Sequence, residues 1–130
     1  MPRKGLTVVK QRQDYDCGLA ALSTLLDIPY ADVSAKARQL FDVKGGLWLW
    51  QIQEIAEELG GTLKLVFKSK HYLEGRTGIL SVVGNEPHVV VLKDGSTVID
   101  PEDGTVWKLD EYLKSKKCRT GCLLVERREP

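Results

Sequence analysis

The main change in the periodicity of the chain falls at Gly60-Gly61, and that change decides the class of fold. Before it, apolar residues recur at helical spacing: Leu19, Leu22, Leu25 and Leu26, then Val33, Ala37 and Leu40, then Trp48, Ile52, Ile55 and Leu59. Pro29 and Gly45-Gly46 separate these stretches, so helices are expected from Cys17 to near Asp27, from about Tyr30 to Phe41, and from Trp48 until Gly60-Gly61 caps the third. After the glycine pair come short β-rich runs over 62–67, 78–83, 88–92, 97–100 and 121–126, with a short helix over 109–114 before the last. Lys93-Asp94-Gly95-Ser96 carries an Asp-Gly turn signal, which makes its flanking strands an antiparallel hairpin. The expectation is an α+β fold in which an N-terminal helical half packs on a C-terminal antiparallel sheet, as a single domain over 1–130.

Net charge is +1 in 130 residues, so no electrostatic argument favours a nucleic acid or an anionic membrane as partner. No apolar run approaches the roughly 18 to 20 residues that cross a bilayer, and Met1-Pro2-Arg3-Lys4-Gly5 lacks the apolar core of a secretory signal, so a cytoplasmic protein without a membrane segment is expected. Three cysteines are an odd number without the density of a disulfide framework, which agrees with a reducing compartment and free thiols. Oligomeric state is not readable.

The first helix places one of these thiols well. Gly5 to Lys10 reads as an extended lead-in that delivers Gln11 beside the helix start, Asp16 stands at the N-cap, and Cys17 falls in the first turn. Unpaired N–H groups and the positive end of the helix dipole favour a thiolate there, the form of sulfur that attacks carbonyls. Gly18 leaves bare backbone beside the sulfur for a substrate's main chain. The plainer alternative is a small core cysteine that happens to open a helix.

A thiolate needs a base, and the base needs an orienter. There are two histidines. His71 lies in the polar connection Lys68-Ser69-Lys70-His71-Tyr72, where no catalytic role is expected, whereas His88 opens the strand Val89-Val90-Val91-Leu92. Folding the hairpin about Asp94-Gly95 brings His88 beside Asp100, at the end of the partner strand, within reach of an imidazole–carboxylate hydrogen bond. The alternatives are a strand-end histidine and a turn-forming aspartate in Asp100-Pro101-Glu102-Asp103-Gly104. Cys118 and Cys122 with His71 lack a fourth ligand and zinc-site spacing, so no metal and no cofactor is expected. Trp48 fits the core stripe of the third helix and Trp50 falls off it.

In order and context these residues resemble the C39-type cysteine peptidases, a branch of the papain-like enzymes. Gln11 and, further on, Asp16-Cys17-Gly18-Leu19-Ala20-Ala21-Leu22 look like that family's nucleophile motif; Gly46-Leu47 with the helix ending Leu59-Gly60 is similar to its middle helix; His88 to Val91 and Val98-Ile99-Asp100-Pro101 with Gly104 resemble its His and Asp blocks; Thr120-Gly121 resembles its closing motif. The resemblance implies a papain-like fold, Cys17 as nucleophile, His88 as base and then acid, Asp100 as orienter, and Gln11, selected over Gln13 by the family spacing, as oxyanion donor with the Cys17 N–H. Substrate would lie along Gly18 and Asp16. Transporter-borne members process leader peptides after Gly-Gly, so the resemblance further implies a peptide or protein substrate cleaved after small residues. The rival reading is a papain-like binding module, an inhibitor or adaptor that keeps the fold without the chemistry.

Overall fold

The computed structural model describes residues 8–10, 16–42 and 46–126. Three helices come first, α1 (Cys17–Leu26), α2 (Tyr30–Leu40) and α3 (Leu49–Glu58). They are followed by β1 (Leu63–Val66), β2 (Gly78–Val83), β3 (His88–Lys93), β4 (Thr97–Ile99) and β5 (Val106–Lys108), then α4 (Leu109–Lys116) and β6 (Arg119–Glu126). The strands form one six-stranded sheet in the order β1-β6-β2-β3-β4-β5, every neighbouring pair antiparallel. This is the α+β arrangement expected from the change of period, with the helices packed on an antiparallel sheet as the papain-like resemblance implies.

Each boundary has a local cause. Asp27 takes a left-handed conformation (φ 57°) to close α1 ahead of Pro29. Gly60 (φ 90°) ends α3, and the Gly61 N–H returns to the Ala56 carbonyl at 2.9 Å. At the β3–β4 turn Asp94 and Gly95 both have positive φ, 54° and 73°, as the Asp-Gly signal requires. Gly121 is demanded by packing: a Cβ there would lie 2.3 Å from Ser81 Oγ, and that hydroxyl accepts the Cys122 N–H across the bulge between β2 and β6.

The sheet is buried on both faces. Leu19, Leu22 and Leu25 of α1 join Ile52 and Ile55 of α3 against Ile79, Val89, Val91, Ile99 and Leu124. On the opposite face Leu80, Val90, Leu92, Val98 and Leu123 meet Tyr72 and Tyr112. Both-sided burial explains why Val89-Val90-Val91-Leu92 is continuously apolar rather than alternating. Helix α1 is buried along almost its whole length, so its polar residues are satisfied internally: Ser23 Oγ donates to the Ile28 carbonyl (2.6 Å), and Thr24 Oγ1 accepts the Val9 N–H (2.9 Å), which ties the lead-in to the helix.

Two expectations need correction. Trp48 is not in the core: α3 begins at Leu49, so Trp48 is an extended N-cap residue off the helical stripe and is 73% exposed. Its N–H is accepted by Gln51 Oε1 at 2.8 Å, while Ile52, Ile55 and Ala56 make the buried face. Trp50, 57% exposed, stands edge-on to Phe41 at 5.5 Å. Asp16 occupies the N-cap of α1 but makes no side-chain cap there; its buried carboxylate accepts the Tyr30 hydroxyl from α2 instead. The short strand β5, three residues after an Asp-Gly turn, has no readable alternation and was not expected from the sequence.

Candidate active site

The N-terminus of α1 and one end of the sheet meet at a groove of about 1300 Å³. Cys17, Gly18, Leu47, Trp48 and Ile52 line it from the helical side; Val83 to Val89, Asp100, Tyr112, Lys116 and Cys118 line it from the sheet and α4. Cys17 is the first residue of α1 and half-buried, at a helix end whose first N–H groups have no intrahelical acceptor.

Strand register sets the partner. Val91 pairs with Ile99, so Val90 stands opposite Asp100, and His88, two residues along, shares the same sheet face. His88 Nε2 lies 2.8 Å from Asp100 Oδ1, and the imidazole shares the groove with Cys17, close enough for the sulfur to bear on its charge. Burial alone would lower its pKa, but the hydrogen bonds to Asp100 and Cys17 and the charges on both outweigh that and raise it to about 10, so the ring is an imidazolium at neutral pH.

Asp100 directly follows β4 and is 1% exposed. Oδ1 also accepts the Glu102 N–H at 3.0 Å, and Oδ2 accepts the Tyr112 hydroxyl at 2.8 Å. Burial pushes this carboxyl up, yet the hydrogen bonds from His88, Glu102 and Tyr112 prevail and hold it below its ordinary range. The site is therefore a line from half-buried thiol through imidazolium to buried carboxylate, a geometry suited to nucleophilic attack with proton transfer through a fixed imidazole.

Gln11 lies outside the described residues. Gly18 lines the groove, but its missing Cβ serves packing: that atom would come within 2.9 Å of the Ile52 side chain. Asp16 is not among the groove-lining residues. His71 is not among the groove-lining residues and is exposed and paired with Glu74 at 2.7 Å; Cys118 and Cys122 are free thiols. Burial, with Asp100 nearby, pushes the Cys118 thiol up, against a smaller opposing influence of Lys116. Among the described residues His88, Asp100 and Glu102 place ligand-type atoms within 4.8 Å of one another, but the imidazole and the Asp100 carboxylate are already bonded together, and a cation would have to displace that pair. Sequence reasoning missed Tyr112. The available signal was a phenol on the apolar side of a short helix, since a buried tyrosine hydroxyl needs a partner.

A helix-borne thiol facing a strand-borne imidazole–carboxylate pair across a groove is the arrangement of the papain-like class. The sequence profile of the Peptidase C39 family matches residues 6–129, and the chain belongs to that family, which supports a cysteine peptidase. Among solved structures the chain is similar to the peptidase domain of Streptococcus ComA, a bi-functional ABC transporter involved in a quorum-sensing pathway. The match covers 97% of this chain and 100% of that one, with a TM-score of 0.65 and 18% identity, a likeness of fold. No curated protein sequence matches the chain. Among the described residues no helix is long and apolar enough to cross a membrane.

Proposed function

We propose that the chain is a thiol peptidase acting through a covalent acyl-enzyme on Cys17. The observation that carries this reading is the position of His88, hydrogen-bonded to buried Asp100 and facing the groove that Cys17 lines from the other wall. Cys17 Sγ, as thiolate, attacks the scissile carbonyl carbon, and the π pair moves onto oxygen. Gln11 and the Cys17 N–H hold that oxyanion. Collapse breaks the C–N bond as the His88 proton passes to the leaving amine. His88, now neutral, takes a proton from water, whose oxygen attacks the thioester and frees the sulfur. Asp100 fixes the ring and supports its charge. A reducing, cytoplasmic setting belongs to the proposal, because the chemistry needs a free thiol and all three cysteines are free.

The substrate is a peptide or protein, cleaved after Gly-Gly or Gly-Ala. A residue without a large side chain lets its backbone come close to the sulfur at the helix end, whereas a β-branched one would clash there. Peptides differing only at the two positions before the cut, incubated with wild type and with Cys17→Ala and followed by mass spectrometry, test both parts. Cleavage after Gly that vanishes in Cys17→Ala is expected. Turnover of peptides with Leu, Phe or Arg before the cut and none with Gly would sink the specificity; turnover surviving Cys17→Ala would sink the mechanism, and no turnover of any peptide would favour a binding module.

A further inference from the structure

Asp100 is held by a residue that returns to it from the next helix, twelve positions further along the chain. Helix α4 begins directly after β5, its Leu109 N–H bonded to the Ser96 carbonyl at 2.8 Å, and Tyr112 thereby comes to lie under the end of β4. Asp110 and Glu111 in its first turn and Lys114 and Lys116 in its last match the helix dipole. The Tyr112 ring is itself fixed, edge-on to Trp107 at 5.9 Å, while Lys116 Nζ lies 5.6 Å over the Trp107 ring and Trp107 Nε1 donates to Thr105 Oγ1 at 2.7 Å. Tyr112 is 2% exposed and Asp100 is 1% exposed, so no bulk water competes for the bond between them.

We infer that Tyr112 is a positioning residue for the reaction: its hydroxyl, donating to Oδ2, sets the rotation of the Asp100 carboxylate so that Oδ1 faces His88 Nε2. The inference rests on the reading of Cys17, His88 and Asp100 as a triad. With Oδ1 shared by His88 and the Glu102 N–H, a carboxylate free to swivel about its Cβ–Cγ bond would lose the imidazole alignment first. Tyr112 acts as donor throughout the working range, because burial and the neighbouring Asp100 charge push its own ionisation well above the ordinary phenol value. The other titratable groups beside this carboxylate are His88, Glu102, Asp103 and Cys118, with Lys116 acting on the last two. None of these supplies a donor to Oδ2 in place of the phenol.

The test is Tyr112→Phe, which keeps the ring and removes the donor, with Trp107→Phe as a packing control. The first readout needs no substrate: the NMR titration of the Asp100 carboxyl carbon. It is expected to move up by about one pH unit in Tyr112→Phe, a tenfold change in protonation equilibrium, and to stay in place in Trp107→Phe. The second is peptide turnover, expected to fall by about tenfold in kcat with KM held and with its acid limb shifted upward. An unmoved Asp100 titration, or a moved titration with unchanged kcat and acid limb, overturns the inference. Should Tyr112→Phe not fold, 3-fluorotyrosine at position 112 alone strengthens the donor without deleting it, and must move the Asp100 titration downward; no movement overturns the inference. If the wild type cleaves no peptide while the titration still responds to Tyr112, the hydrogen bond stands and the peptidase reading falls.

Discussion

On the helical wall of the groove, Cys17 stands at the open end of a helix whose remaining residues are almost all buried, and its neighbours Leu47, Trp48 and Ile52 are apolar. On the sheet wall, His88, Asp100, Glu102 and Tyr112 form a chain of hydrogen bonds that satisfies both carboxylate oxygens in a nearly dry site. The first wall holds its reactive group by burying apolar side chains around the backbone that carries it. The second holds its groups by making them hold one another. Stability and chemistry should therefore separate differently on the two walls.

The largest effect is expected on the helical wall, in stability. Leu22 is fully buried between α3 and the sheet, so Leu22→Ala should cost about 2 to 5 kcal/mol, whereas Trp48→Ala, removing a side chain 73% exposed, should cost less than about 1 kcal/mol while weakening peptide binding. Urea unfolding of both variants beside a KM measurement checks this. A Trp48→Ala loss as large as that of Leu22→Ala would mean that the rim of the groove is part of the core.

The contrast between those two residues also shows what the sequence could carry. Leu22 and Ile52 lie on stripes of period 3.6 and reveal their burial without any knowledge of the fold. Trp48 matched the same stripe by spacing alone and failed because the helix starts one residue later, a boundary set by the Gln51 side chain reaching back to the Trp48 N–H. On the sheet wall, the meeting of His88 and Asp100 was legible because a two-strand hairpin with a known turn fixes its own register. Tyr112 was not, since its approach depends on β5, a three-residue strand whose pairing with β4 turns α4 back under the site. Local pattern predicts neighbours within one element or across one tight turn; partners brought by a second crossing need the topology.

The two groove-lining cysteines, Cys17 and Cys118, sit in opposite surroundings. Cys17 lies at a helix N-terminus beside the His88 imidazolium, while the Cys118 thiol is pushed up by burial and by the Asp100 charge. Iodoacetamide at pH 6 should therefore modify Cys17 at least about tenfold faster than Cys118, and His88→Ala should erase most of that preference. Peptide mapping of partly labelled protein gives the ratio. Equal labelling of both sites in the folded wild type would remove the case for an activated nucleophile.

The sheet wall carries a pH dependence of stability of its own. The folded-state pKa of His88 is raised to about 10, above its unfolded value of about 6.5. Its contribution is therefore fully present below pH about 6.5 and is lost as pH rises through about 10. Asp100 is held below its ordinary range, so its contribution is present above pH about 4 and is lost on acidification. The stability difference between wild type and His88→Ala should accordingly be greatest between about pH 4 and 6.5 and shrink steadily above that window, as guanidinium midpoints taken at successive pH values would record. A difference that grew between pH 7 and 10 would contradict a raised His88 pKa. The same series in a Cys17→Ala background separates the walls, because both the hydrogen bond and the charge of Cys17 help to raise His88. Without the sulfur the decline should begin and end at lower pH, while the acid side, governed by Asp100 and its Tyr112 partner, should stay where it was.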